Sequence, residues 1–333
     1  MKYRILGKTG LSISEIGLGC QSIGGGLYYK NDKESLKILL EAFDAGVNFF
    51  DTSDHYSLGE SEILLGKAFK GKRDKIIIGT KAGTLYSQSA VFALKTRALA
   101  RPFSKYLKSF KIPFHLIRAK QKHSDFSNDY LIESVNKSLK RLQTDYIDLF
   151  QLHKPSKEII EKGEFIETLE LLKQQGKIRF YGISCASNED AFLCMNHPGI
   201  SSVQITFNLL DNKYAPEILS TAKEKNVGII ARNPRAQGHL TGEFSDIMAE
   251  TYAKDISEFE IKKEKAKRFN FLISNKRTLA QAALHYVLNF EGVSAAIPRA
   301  VNSKQLSEIL GTLNAPSLMD SEFSRILSVQ TAN

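Results

Sequence analysis

Three times in this chain a helical stretch ends on glycine or asparagine and passes at once into a short apolar run. LLEAFDAG leads into VNFF, LELLKQQG into KIRFYGIS, and ILSTAKEKN into VGII. Gly and Asn are the residues that tolerate the left-handed conformation just past a helix's last turn. Runs rich in β-branched residues suit parallel strands covered on both faces. A chain built this way needs helices as the returns between parallel strands.

Further runs of the same kind occur at 16–19 (IGLG), 75–81 (KIIIGTK), 146–153 (YIDLFQLH), 203–206 (VQIT) and 294–298 (SAAIP). That makes eight strand candidates, each followed by a helical stretch or room for one. In DYLIESVNKSLKRL, Leu131, Val135, Leu139 and Leu142 fall on one helical face. Leu279, Ala283, Tyr286, Val287 and Phe290 repeat the pattern further on. Asp32 and Ser274 are placed as helix N-caps. Eight such units fit a closed (β/α)8 TIM barrel better than an open doubly wound sheet. The dinucleotide fingerprint of the latter also fails, because Ser22 stands where the third glycine of GLGCQS would fall. Residues 3–6 and 11–15, joined across Gly7 to Gly10, read as a β-hairpin capping the barrel base. Residues 1–333 are read as a single barrel domain. Two segments, 82–125 and 233–273, exceed an ordinary strand-to-helix loop and leave the C-terminal face, where barrel enzymes build their sites.

Three cysteines, Cys20, Cys185 and Cys194, show no metal-like spacing, and their odd number speaks against a disulfide framework. The expectation is a reducing cytoplasm. The N-terminus lacks the apolar core of a signal peptide, and no run approaches a membrane span. The net charge of +10 is concentrated: residues 84–124 carry nine Lys or Arg and no acid, while the other 37 basic residues nearly balance 36 acidic ones. A basic segment on a neutral body, with no recognised nucleic-acid module, argues against nucleic acid as a partner.

Asp51, Tyr56, Lys81 and His153 all fall at or just past C-terminal strand ends, so one barrel rim can gather them. A phenol is a weak acid at neutral pH. An ammonium beside it favours the phenolate and is expected to lower its pKa, and an aspartate can hold that lysine charged. A histidine can hydrogen-bond a substrate carbonyl and set its angle. Taken singly, these residues also read as a turn-maker, a solvated charge and a core histidine.

At this point the chain resembles the aldo-keto reductase family. VNFFDTSDHYSLGESEILLG resembles the family signature FDTAxxYGxxExxLG, IIIGTK its strand ending in lysine, and SLKRLQTDYIDLFQLHKP its SLxRLxxDYxDLxxxHxP segment. GISCASNED, VQITFNLLD, ARNPRAQGHLTG and AIPRAVNSKQLSEIL are similar to four further blocks in the same order, so the likeness covers roughly residues 3–313. It implies a barrel with NADPH in its mouth, NADH being possible, and an aldehyde or ketone reduced to an alcohol, or the reverse. Tyr56 would be the general acid, Lys81 and Asp51 would tune it, and His153 would orient the carbonyl. Ser184 and Gln204 would hold the nicotinamide carboxamide. The family has Asn after that serine where this chain has Cys185, so the carboxamide would be held less firmly, or Asn208 or Gln204 would compensate. Arg232 would flank the nicotinamide, Gly238, Leu240 and Thr241 would follow the pyrophosphate, and Glu308 would meet the adenine. Arg299 and Asn302, ahead of a helix N-terminus, would take the 2'-phosphate, although Gln305 replaces a frequent arginine.

The basic segment is expected to overhang the rim as a lid selecting an anionic or sugar-like substrate. A membrane-surface helix and a solvated insertion are its alternatives. The other reading of the whole chain is a cofactor-binding regulatory subunit on the same fold. The sequence marks no oligomer interface, and a monomer is the default expectation.

Overall fold

The computed structural model describes residues 1–24, 32–86, 122–242 and 256–331. The chain opens with β1 (Tyr3–Ile5) and β2 (Ser12–Ser14), an antiparallel pair joined by a 3-10 turn at Gly7–Thr9. Then strands and helices alternate. β3 (Leu18–Gly19) precedes α1 (Asp32–Asp44), β4 (Phe49–Asp51) precedes α2 (Glu60–Ala68), and β5 (Ile77–Ala82) follows. A two-stranded ribbon of β6 (Thr84–Tyr86) and β7 (Lys122–Ser124) stands on the end of β5. The alternation resumes with α3 (Asn128–Leu142), β8 (Ile147–His153), α4 (Lys157–Lys162) and α5 (Phe165–Gln174). Next come β9 (Ile178–Ser184), α6 (Asp190–Cys194), β10 (Ser202–Thr206), α7 (Ala215–Glu224) and β11 (Gly228–Arg232). α8 (Ile256–Lys267), α9 (Leu279–Leu288), β12 (Val293–Ile297), α10 (Ser303–Gly311) and α11 (Asp320–Thr331) complete the chain.

All eight expected strands form, in the parallel order β3-β4-β5-β8-β9-β10-β11-β12. Hydrogen bonds from Gly17 N to Ala296 O (2.9 Å), Ala296 N to Glu15 O (2.8 Å) and Gly19 N to Pro298 O (2.9 Å) bring the two edges together. The sheet thus curls into a (β/α)8 barrel, and the doubly wound alternative is excluded.

The punctuation behaves as its chemistry requires. Gly46, Gly176 and Asn226 have φ of 91°, 71° and 51°. The next amide in each case reaches back to a helical carbonyl: Val47 to Ala42, Lys177 to Leu172 and Val227 to Ala222, at 3.0, 3.0 and 2.8 Å. These six-to-one bonds are Schellman caps, and each aims the chain straight into a strand.

The hairpin plugs the barrel base. Leu6, Leu11 and Ile13 pack with Phe49, Leu149, Ile230, Ala295 and Ile297 in an apolar cluster, while the helices cover the outside of the sheet in a second, larger one. Behind Tyr56, α2 closes on α3. A Cβ on Gly66 would lie 2.6 Å from Leu142 O, so only glycine lets the two helices approach. Glu62 is buried there, accepting from Thr80 Oγ1 and Arg141 Nε, both at 2.6 Å.

One expected cap is displaced. Ser274 does not open the helix; it forms an antiparallel bridge with Arg277, and the cap is Thr278, in a capping box with Gln281. The buried Arg277 guanidinium holds Leu272 O, Ser317 O and Glu322, so the chain must turn tightly before the helix begins. Asp32 is the first residue of its helix. Of the long segments, residues 87–121 and 243–255 lie outside the described residues, and with them the anion-lid, membrane-surface and solvated-insertion readings. Among the described residues no helix is long and apolar enough to cross a membrane.

Candidate active site

Strand register gathers the rim. Asp51 ends β4 beside Gly79 of β5, and Lys81, two residues on, pairs with Gln151 of β8. His153 pairs with Ser184 of β9, Ser184 with Gln204 of β10, and Thr206 with Arg232 of β11. In-register parallel strands place these residues side by side over the apolar plug, because alternate side chains point into the barrel.

At the centre is a buried ion pair. Lys81 Nζ lies 2.5 Å from Asp51 Oδ2 and donates to Thr52 O at 2.8 Å. Asp51 Oδ1 accepts from Gln204 Nε2 (2.8 Å) and Gln151 Nε2 (3.2 Å), so three donors hold the carboxylate. Burial works against the Lys81 charge, but Asp51 and then Tyr56 outweigh it and hold its pKa above the ordinary lysine value. The ammonium lies 5.2 Å from the centre of the Tyr56 ring.

Tyr56 itself departs from expectation. Lys81 does pull its pKa down, with help from Arg232, yet burial is the larger influence and the net shift is upward. Tyr56 is therefore a protonated acid throughout the neutral range. His153 meets it edge-on, ring centres 6.0 Å apart at 82°. Burial first, and then the neighbouring His55, Lys81, Lys154 and Arg232, push the His153 pKa well below its usual value, so the imidazole is neutral. Ser53 Oγ anchors it, 3.1 Å from His153 Nδ1 and 3.0 Å from His55 Nδ1, while also donating to Lys81 O at 3.0 Å.

Sequence reasoning missed Gln151, Ser53 and His55. Gln151 had a legible signal: it is a polar residue in a mostly apolar strand, two residues before His153 and so on the same inward face. Ser53 and His55 are ordinary loop residues until the loop folds over β5.

The residues expected around a cofactor divide. Ser184 Oγ donates to Gln204 Oε1 (3.0 Å) and accepts from Arg232 Nη1 (3.0 Å), so these three join the Asp51 network. Cys185 does not face them; its fully buried thiol is turned to Cys194, with 3.8 Å between the sulfurs. Asn208 does not compensate, because its Oδ1 closes a turn onto Leu210 N and Asp211 N. Gly238 and Leu240 lie in the loop after β11, where Ala236, Gln237 and Gly238 have φ of 47°, 58° and 107°. The loop's amides are largely engaged within it: Ala236 N donates to Asn233 O at 2.8 Å, and Gly238 N and Leu240 N to Arg235 O at 2.9 and 3.3 Å.

The start of α10 fits a 2'-phosphate less well. Arg299 is there, with Nη1 3.4 Å from Gln21 Oε1. Asn302 caps Gln305 N at 2.9 Å, and Gln305 Oε1 returns to Val301 N at 3.2 Å. The half-buried Glu308 lies one turn on. Glu34 of α1 takes Ser303 N at 3.0 Å and sits 3.4 Å from Ser303 Oγ. A carboxylate thus holds the helix terminus expected to hold the phosphate.

With this geometry in hand, comparison with known proteins is direct. The family model described as "Aldo/keto reductase family" matches residues 15–331. The chain is 31% identical over 332 residues to the Bacillus subtilis uncharacterized oxidoreductase YqkF, covering 98% of this chain and 96% of that one. It superposes on the holo form of the aldo-keto reductase AKR11C1 from Bacillus halodurans with a TM-score of 0.78 and 29% identity, covering 99% and 96% of the two chains. A Klebsiella pneumoniae aldo-keto reductase solved in complex with NADPH shares the fold at a TM-score of 0.70 and 21% identity, covering 99% and 95%.

Proposed function

The chain belongs to the aldo/keto reductase family of oxidoreductases, and from that premise we propose that it is a nicotinamide-dependent carbonyl reductase with Tyr56 as its general acid. The observation that carries the reading is the Asp51–Lys81 pair, buried to 2% and 0% exposure directly behind the phenol. Burying a charge pair is costly unless every lone pair and proton is satisfied. Here Gln151 and Gln204 donate to the carboxylate and Thr52 O accepts from the ammonium, which offsets that cost and keeps a fixed positive charge where a phenolate will form.

Bound NADPH or NADH supplies a hydride to the carbonyl carbon, and the protein supplies the rest. Tyr56 donates its proton to the carbonyl oxygen, and the Lys81 ammonium stabilises the phenolate that remains. His153, being neutral, takes no part in charge balance and orients the oxygen by a hydrogen bond. Ser184, Gln204 and Arg232 present donors and acceptors to the nicotinamide amide. The reverse reaction uses the same groups.

The test is a fluorescence titration of the protein with NADPH and NADH, followed by cofactor oxidation with an aromatic aldehyde across pH. At saturating cofactor, kcat/KM for reduction is expected to stay level from about pH 7 to about pH 9 and to fall only as pH rises through the elevated Tyr56 pKa. The sign follows from the role: the acid works protonated, so activity is present below its pKa and lost above it. No acidic limb near pH 6.5 is expected from His153, which stays neutral there. A decline centred well below pH 9 would overturn the high-pKa phenol. Tight cofactor binding without turnover on any carbonyl would favour the regulatory reading.

Glu34 bears on the choice of cofactor. A carboxylate and a phosphate repel at one helix terminus. Glu34→Gln is expected to tighten NADPH about tenfold relative to NADH. An unchanged ratio of the two dissociation constants would show that the 2'-phosphate lies elsewhere.

A further inference from the structure

We infer that Arg235 is the residue that binds the diphosphate of the cofactor. The inference rests on the cofactor reading above and goes beyond it by assigning a charged side chain to a stretch where only backbone was expected to serve.

Arg235 is the third residue past β11, the seventh barrel strand, and its chain then enters the left-handed stretch 236–238. Barrels that hold phosphates frequently do so between the loops after the seventh and eighth strands. Arg235 crosses between those two loops: its Nη2 donates to the carbonyl of Arg299, two residues past β12. Its backbone carbonyl receives Gly238 N at 2.9 Å and Leu240 N at 3.3 Å, so the loop is wound on this residue.

The side chain is only 9% exposed, yet its second terminal nitrogen, Nη1, is buried without a hydrogen-bond partner. Among the described residues it has no carboxylate within ion-pair distance. Burial lowers its pKa, and Glu308 acts on it only at longer range. A guanidinium offers five donors in a planar fork that matches phosphate oxygens two at a time. Leaving one of them unsatisfied, with no carboxylate in contact, is among the costlier things a fold can do. Pinning the Arg299 carbonyl does not explain it, since a neutral donor would serve. A diphosphate explains both the missing partner and the missing counter-charge. NADPH and NADH share that group, so Arg235 does not choose between them, unlike Glu34.

The experiment titrates the full chain with NADPH, NADH, ADP and adenosine, comparing wild type with Arg235→Leu and Arg235→Lys. Arg235→Leu is expected to weaken NADPH, NADH and ADP alike, by about 30-fold, and to leave adenosine unchanged. Arg235→Lys should recover part of the loss, and the salt dependence of ADP affinity should flatten in the leucine variant. Ligand-free Arg235→Leu gives up the bond to the Arg299 carbonyl but also removes an unpartnered buried donor, so it should melt close to wild type. Inorganic pyrophosphate should displace ADP from wild type. NADPH, NADH and ADP all binding Arg235→Leu as tightly as wild type would overturn this assignment alone. A wild-type protein that binds neither nicotinamide cofactor would overturn the reductase reading as well. If the leucine variant does not fold, pyrophosphate competition decides, and failure to displace ADP overturns the assignment.

Discussion

Tyr56→Phe is expected to lower carbonyl turnover by about 10³-fold while leaving affinity for NADPH within about twofold of wild type. The substitution removes one proton and one oxygen and keeps the ring that packs edge-on against His153 and beside Lys81. The cofactor contacts we propose are made by Ser184, Gln204 and Arg232, which are held by each other and by Asp51 and not by the phenol. Steady-state turnover with a reactive aldehyde and a binding titration on the same preparation separate the two quantities. If the phenylalanine variant keeps a tenth or more of wild-type turnover, another group delivers the proton.

Asp51→Asn should be the most damaging single change to stability at the rim. It removes the counter-ion from a fully buried ammonium, leaving Lys81 with the Thr52 carbonyl and an amide. It also puts an NH₂ donor near the amides of Gln151 and Gln204, which now donate to the carboxylate. Removing one partner of such a pair costs about 3–5 kcal/mol, measurable by urea unfolding. Replacing both charges, as in Asp51→Leu with Lys81→Met, is expected to regain most of that stability and none of the turnover. That separation matters, because a loss of activity in the single variant alone could reflect unfolding. A single variant within about 0.5 kcal/mol of wild type would mean that the pair is not the support we take it to be.

Much of the fold was legible because it is written in local spacing. A Gly or Asn at the end of an amphipathic helix leaves few ways for the chain to continue, and Gly46, Gly176 and Asn226 each take the left-handed turn into a strand. Asp51, Tyr56, Lys81 and His153 were legible for a related reason. Once strands are parallel and run outward, residues at their ends must share a rim. The caps were less secure. Ser274 and Thr278 are equally good cap chemistry, and what chose between them is Arg277, whose partners lie as far along the chain as Ser317 and Glu322.

The eight strands, the hairpin and the shared rim position of Asp51, Tyr56, Lys81 and His153 were therefore determined by the sequence alone, since each depends on neighbours a few residues away or on the direction of a strand. Tertiary structure decided the chemistry's fine balance. Burial, a property of the whole fold, turned the Tyr56 shift upward against Lys81. Packing against α6 took Cys185 out of the rim. Closing the barrel brought Glu34 from the first helix to Ser303, 269 positions away, and laid Arg235 beside the Arg299 carbonyl. Electrostatics and burial act through space, so no local pattern along the chain can announce them.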